Sequence, residues 1–194
     1  MKNLCRRCVD PKGKLCYNKT MNAEMKDALS ASIRGFRLPR YREVPDVGLY
    51  LEQATKYINQ CVEPLGFGGL TGSMIRNYVK QGLVVNPVNK QYSANQIAHL
   101  MVIAVLKQVI PMEHIGLFFS LQQRVYTDEV AYDYFCAELE NILYHRFGLK
   151  GEFEMVGVTD TAEKEMLRSA IVAVSHIVYL NTCLTALVEK QRSP

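Results

Sequence analysis

Three glycines within four residues, Gly66-Phe67-Gly68-Gly69, interrupt a helical pattern and fix where this chain must turn. Upstream, Leu49, Leu51, Ala54, Tyr57, Ile58, Cys61 and Val62 repeat with a period near 3.6. They predict an amphipathic helix capped by Asp46 and ended by Pro64 and Gly66. Downstream, Thr71 reads as the N-cap of a short helix over 71–81, and Gly82 as the residue that ends it. Met74, Ile75, Tyr78 and Val79 share one side of that helix, and Ser73, Arg76, Asn77 and Lys80 share the other. A short helix that packs inward and turns a basic, amide-bearing face outward is therefore expected.

The next segment changes period. Leu83-Val84-Val85 predicts a strand, Asn86-Pro87 a turn, and Val88 to Tyr92 a returning strand, together a small β-hairpin carrying Lys90. Ser93 caps a helix whose buried side is Ile97, Leu100, Met101, Ile103, Ala104 and Leu106. Pro111 opens a short helix with Ile115, Leu117, Phe118 and Leu121. Thr127 caps a helix to about Phe147, with Asp128 and Glu129 placed against its positive end. Thr159 or Thr161 caps a long final helix to about Glu189, whose apolar stripe is too wide for one neighbour.

The front of the chain is different. Residues 1–37 show no sustained period and read as a weakly ordered basic extension, with a short helix over 21–33. Pro39 and Pro45 then favour extended backbone. Residues 1–45 hold eleven Lys/Arg against four Asp/Glu, and residues 93–194 hold eight against twelve. A polyanion would meet the N-terminal half of such a chain.

No secretory signal is evident, and the longest apolar runs, 99–110 and 170–180, fall short of the roughly 20 residues a membrane span needs. A cytoplasmic location and reduced thiols are expected. Cys5, Cys8 and Cys16 are candidate zinc ligands, but no fourth Cys or His lies nearby to complete a tetrahedral set. Cys61, Cys136 and Cys183 fall in helical apolar patterns and read as small buried hydrophobes. The four histidines are scattered, and no phosphate loop, nucleophile elbow or H-E-x-x-H is present. Neither enzyme activity nor a cofactor is expected.

Helix, glycine turn, short helix, hairpin and capped helix form the order of a winged helix-turn-helix, in which the second helix enters the major groove. Arg76 suits guanine and Asn77 adenine, while Lys80 and Lys90 suit phosphate. Thr71, Ser73 and Tyr78 complete the candidate DNA-binding set.

The segment IRNYVKQGLV resembles the recognition-helix signature of the MerR family of bacterial regulators. Ile75, Arg76, Tyr78, Gly82 and Leu83 occupy the signature's places, and Pro87, Tyr92-Ser93, Ile97, Leu100 and the MEHI segment follow in register. Residues 38–120 resemble still more closely an uncharacterised bacterial family known only as a domain of unknown function. The departures are specific. The hairpin sequence VNKQY has one lysine and no arginine, and Asn77 stands where an aromatic is usual.

The expectation is a mainly α chain: an extension (1–37), a MerR-like winged helix-turn-helix (38–120) and a helical region (121–194). Its function would be double-stranded DNA binding in transcriptional regulation, as a homodimer joined through the last region, with space there for an unknown small-molecule effector. The competing expectation, from another class, is a helical protein-interaction module that binds no DNA.

Overall fold

The computed structural model describes residues 23–151 and 161–192. Helix α4 (Ala94–Leu106) lies at its centre, because every side chain from Gln96 to Leu106 is buried. A helix apolar on all sides must be surrounded. Its neighbours are α2 (Leu51–Val62), α6 (Asp128–Arg146) and α7 (Ala162–Arg192). Helix α5 (Met112–Gln122) closes one side. It buries Ile115 and Phe119 and leaves Leu117 outside, contrary to the expected stripe.

The short helix expected near residues 21–33 forms as α1 (Ala23–Ile33). It is not part of a loose extension. Leu29 and Ile33, four residues apart on one face, are buried with Phe36 and Leu38, and α1 packs on α7. The stripe is only about one side chain wide per turn, too thin to register as a period in the sequence. One buried cluster runs from Leu29 to Val178, so neither expected boundary, at 37/38 or at 120/121, divides the core.

Residues 36–44 form an extended strap with a short 3₁₀ turn over Tyr41–Glu43. Acidic side chains of α6 hold it. Arg40 makes a two-bond pair with Glu140, 2.7 Å at each contact, and Glu140 also accepts the Leu38 amide at 3.0 Å. The Tyr41 amide donates to Asp133 and Arg42 pairs with Glu129, both at 2.7 Å. Two of the front half's cations, Arg40 and Arg42, are thus paired with the acidic rear half.

Only two strands form among the described residues. β1 (Leu49–Tyr50) pairs antiparallel with β2 (Gln91–Tyr92), Leu49 opposite Tyr92 and Tyr50 opposite Gln91. Two expectations are corrected by this. Asp46 does not cap α2, because Gly48 (φ +73°) turns the chain into β1 and the helix starts after Tyr50. Leu83–Val85 is not a strand, and the tight turn lies at Val88–Gln91 rather than at Asn86-Pro87. Pairing with β1, forty residues back, sets the register, and local propensity does not reveal such a partner.

Helix α7 is long and apolar enough to cross a membrane by length and composition, over Ala162–Glu189. That overturns the expectation that no segment reaches this length. Its interior polar residues, such as His176, Asn181 and Thr182, interrupt the apolar run without adding Asp, Glu, Lys or Arg. One face of α7 (Leu167, Ile171, Val174, Val178) is buried in the core.

Candidate nucleic-acid interface

The turn between α2 and α3 (Gly72–Lys80) is held by side-chain bonds to its backbone. Asn59, on α2, donates from Nδ2 to the Leu70 carbonyl at 2.9 Å and accepts the Leu70 amide on Oδ1 at 2.7 Å. The close approach requires glycine at 69, where a Cβ would stand 2.5 Å from that Oδ1. Lys107, at the end of α4, donates to the Gly69 carbonyl at 3.3 Å, and burial holds its ammonium below the usual lysine pKa. Gly66 supplies the left-handed residue (φ +69°) that ends the preceding 3₁₀ turn, Glu63–Leu65.

Helix α3 is capped as expected. Thr71 Oγ1 accepts the Met74 amide at 3.2 Å. At the far end the Gly82 amide bonds the Val79 carbonyl and the Leu83 amide bonds the Tyr78 carbonyl, both at 3.0 Å, with Gly82 left-handed. This is a Schellman ending. Both ends of a nine-residue helix are therefore fixed, and its rotation is set by the buried side chains Ile75 and Tyr78.

The expected site residues separate into two groups. Thr71, Ser73, Arg76, Asn77 and Lys80 all lie on the exposed face of α3. The Thr71 and Ser73 hydroxyls are 2.9 Å apart. Arg76, Asn77 and Lys80 make no side-chain hydrogen bond or ion pair among the described residues. By contrast, Arg37, Arg40, Arg42 and Arg168 are paired with Glu43, Glu140, Glu129 and Glu138. Tyr78 belongs to the other group. It is 5% exposed, and burial raises its phenol pKa, so it anchors α3 and cannot offer its ring outward.

Lys90 is exposed at the turn Val88–Gln91, closed by a 2.9 Å bond from the Gln91 amide to the Val88 carbonyl. Asn89 (φ +52°) and Lys90 (φ +64°) are both left-handed. This is the I′ geometry of tight hairpins, and Asn is at home there whereas Lys is not. Gln96 positions the segment behind it. Its Oε1 accepts the Ser93 amide at 2.8 Å in a capping box, and its Nε2 donates to the Val85 carbonyl at 2.7 Å. Tyr92 is buried behind the turn. Burial raises its pKa, and the charge of Arg76 opposes that rise.

A model of DUF1836, a domain of unknown function, matches residues 39–139. The chain belongs to the DUF1836 family. The matched region takes in most of the strap, α2, α3, the 88–91 turn, α4, α5 and most of α6. No curated protein and no solved structure matches this DUF1836 chain.

Asn59, Lys107 and Gln96 were not expected as positioning residues. Of the three, only Gln96 had a readable signal, the Ser93-x-x-Gln96 spacing of a capping box. Cys5, Cys8 and Cys16 lie outside the described residues. Among the described residues no cluster of His, Cys, Asp or Glu is arranged to hold a metal. The Cys136 thiol is buried and pushed up to about 12, which makes it an inert core residue as expected. An apolar cleft between α5, α6 and α7 is lined by Phe118, Tyr126, Tyr134 and Leu167, with Lys164 over the Tyr126 and Tyr134 rings at 5.8 and 5.0 Å.

Proposed function

We propose that this DUF1836 protein is a DNA-binding transcriptional regulator that reads the major groove of duplex DNA with α3. The observation that carries the reading is the outward face of α3. Arg76, Asn77 and Lys80 stand one turn apart or less, exposed and without partners among the described residues, on a helix fixed at both ends. Arg and Asn are the side chains that pair two bonds at a time with guanine and adenine. Lys80 and Lys90 supply phosphate contacts.

The order β1, α2, turn, α3, I′ turn, β2, α4 supports a MerR-like winged helix-turn-helix, with Val88–Gln91 as the wing tip. A homodimer through α7 belongs to the same reading. Met166, Ala170, Ala173, Ile177, Leu180, Leu184 and Leu187 follow an alternating four-and-three spacing along the flank of the buried face of α7, with Ala170 and Ile177 half-buried and the others exposed. That spacing is a coiled-coil seam, which a second copy would match by symmetry. The cleft beneath Lys164 is the candidate effector site, and a cytoplasmic location follows from the same function.

Retention on random-sequence duplex DNA at two salt concentrations tests the reading. Binding that falls steeply with salt, and falls further in Arg76→Ala, is expected. Absence of retention at the lower salt would refute DNA binding and leave a protein-interaction module as the better account.

A further inference from the structure

The cleft between α5, α6 and α7 combines apolar walls with two opposite charges. Phe118, Tyr126, Val130, Tyr134 and Leu167 form the walls. Glu163 and Lys164, neighbours in the first turn of α7, also line it, and each is half-buried. Lys164 reaches over the Tyr126 and Tyr134 rings, 5.8 and 5.0 Å from their centres. Its ammonium therefore stands over two of the apolar walls.

Those walls are fixed in the folded chain. The Tyr126 hydroxyl lies 3.5 Å from Thr161 Oγ1, and the Tyr134 hydroxyl accepts from Arg168 at 3.4 Å. Both rings are thus tied to the start of α7. Arg168 is itself paired with the buried Glu138 at 2.6 Å, so its charge is committed to the core. A cleft whose walls are already placed spends little binding energy on ordering them.

Size and charge limit what fits. About 90 Å³ is open in the outer cleft. One water needs roughly 10–15 Å³, so the space takes a group of several non-hydrogen atoms. Deeper in, against His99 and Asp128, about 10 Å³ remains, at most a single water. One amino-acid side chain suits this space, and a long chain or fused rings do not. A neutral ligand would leave both charges unused, and a ligand of one sign would meet a like charge. An ammonium and a carboxylate on the same carbon match both. A lysine ammonium has three donors, so Lys164 can hold a ligand carboxylate beside the contacts it already makes.

Resting on the reading of this cleft as the effector site, we propose that it binds a free α-amino acid with an apolar side chain. The side chain lies against Phe118, Val130 and Leu167. The carboxylate accepts from Lys164, and the ammonium meets Glu163.

Isothermal titration of the full chain without DNA tests this with three probes that share one apolar body. They are phenylalanine, 3-phenylpropionate, which lacks the ammonium, and phenethylamine, which lacks the carboxylate. Phenylalanine is expected to bind at least about tenfold more tightly than either analogue, because each analogue forfeits a charge-assisted contact. Lys164→Met is expected to weaken phenylalanine and 3-phenylpropionate about tenfold and to leave phenethylamine unchanged. Glu163→Gln is expected to weaken phenylalanine and phenethylamine and to leave 3-phenylpropionate unchanged. Lys164→Arg keeps the charge and should keep binding, which separates a lost contact from a damaged fold. No binding of phenylalanine at millimolar concentration overturns the proposal. Equal binding of the three probes, or wild-type binding by Lys164→Met, does the same. DNA binding is titrated on the same preparation. A protein that binds DNA but no amino acid refutes the ligand and leaves the DNA reading standing, and one that binds phenylalanine but no DNA does the reverse. Phenylalanine binding that leaves DNA affinity unchanged supports the ligand class and overturns the effector role.

Discussion

Asn59 and Leu70 are joined by two hydrogen bonds, the side-chain amide of one facing the backbone amide and carbonyl of the other at 2.7 and 2.9 Å. The pair joins α2 to the residue just before the cap of α3. It therefore sets where α3 begins and how it is aimed. Asn59→Ala leaves both Leu70 groups without their partner, at about 1–3 kcal/mol. Gly69→Ala pushes a methyl onto the same carboxamide. Each substitution is expected to lower the thermal midpoint by several degrees. In the double variant Asn59→Ala/Gly69→Ala the losses should fall short of additive, because removing the carboxamide makes room for the methyl. Full additivity in thermal melts would show that the two residues act independently.

Lys90 offers a test in which stability and binding move in opposite directions. A non-glycine residue in the left-handed region costs about 1 kcal/mol. Lys90→Gly is therefore expected to raise stability by up to about 1 kcal/mol, offset in part by the freedom that glycine gains in the unfolded chain. Under the proposed function the same change removes a cation meant for phosphate, and it should then weaken DNA binding. Denaturant melts and DNA titrations on one preparation check both. Stability gained with DNA affinity unchanged would make the lysine incidental.

What could be read in advance follows the range of the interactions. The Thr71 cap, the Gly82 ending and the Ser93 and Thr127 caps are local, and all appear in the structure, whereas the α5 stripe loses Leu117 to solvent. The polar face of α3 was legible for the same reason. Contacts between distant segments were not. The β1–β2 pairing, the Arg40–Glu140 clamp and the burial of α1 on α7 join residues that no local pattern relates. The clamp also changed the meaning of a correct count: the front half is basic, but Arg40 and Arg42 face α6 carboxylates and not a ligand. Tyr78 shows the limit at single residues, since its place in a signature does not say which way the ring points.

Asp128 gives a dependence on pH. It begins α6 and accepts from Asn95 at 2.7 Å and from Gln123 at 3.4 Å, with His99 3.3 Å away. Burial pushes its pKa up, but the hydrogen bonds and the histidine outweigh it, and the carboxyl sits below its ordinary 3.8. A carboxyl lowered on folding stabilises the protein above its unfolded pKa and loses that contribution as pH falls through the folded one. Asp128→Asn should therefore be less stable than wild type at neutral pH, and the gap should narrow below about pH 4. Thermal melts from pH 7 to 3 check this, and a gap that is constant over that range would rule out the titration.

The outward seam of α7 sets the last expectation. Leu180, Leu184 and Leu187 are each about half exposed, beyond Val178, the last buried residue of the helix. Apolar side chains at this spacing over about two turns gain by meeting their own copies. Burying a leucine is worth about 1.5–3 kcal/mol, and a twofold axis counts each side chain twice. Leu184→Glu places two charges in that seam and is expected to convert a dimer to monomer, read by sedimentation equilibrium at micromolar concentration. The buried face of α7 is untouched, so helix content and thermal melting of the monomer should stay near wild type. Loss of the dimer should weaken DNA binding more than any single α3 substitution, because two half-sites are then bound separately. A wild-type protein that sediments as a monomer would remove the seam's role and, with it, the twofold arrangement of the proposed DNA complex.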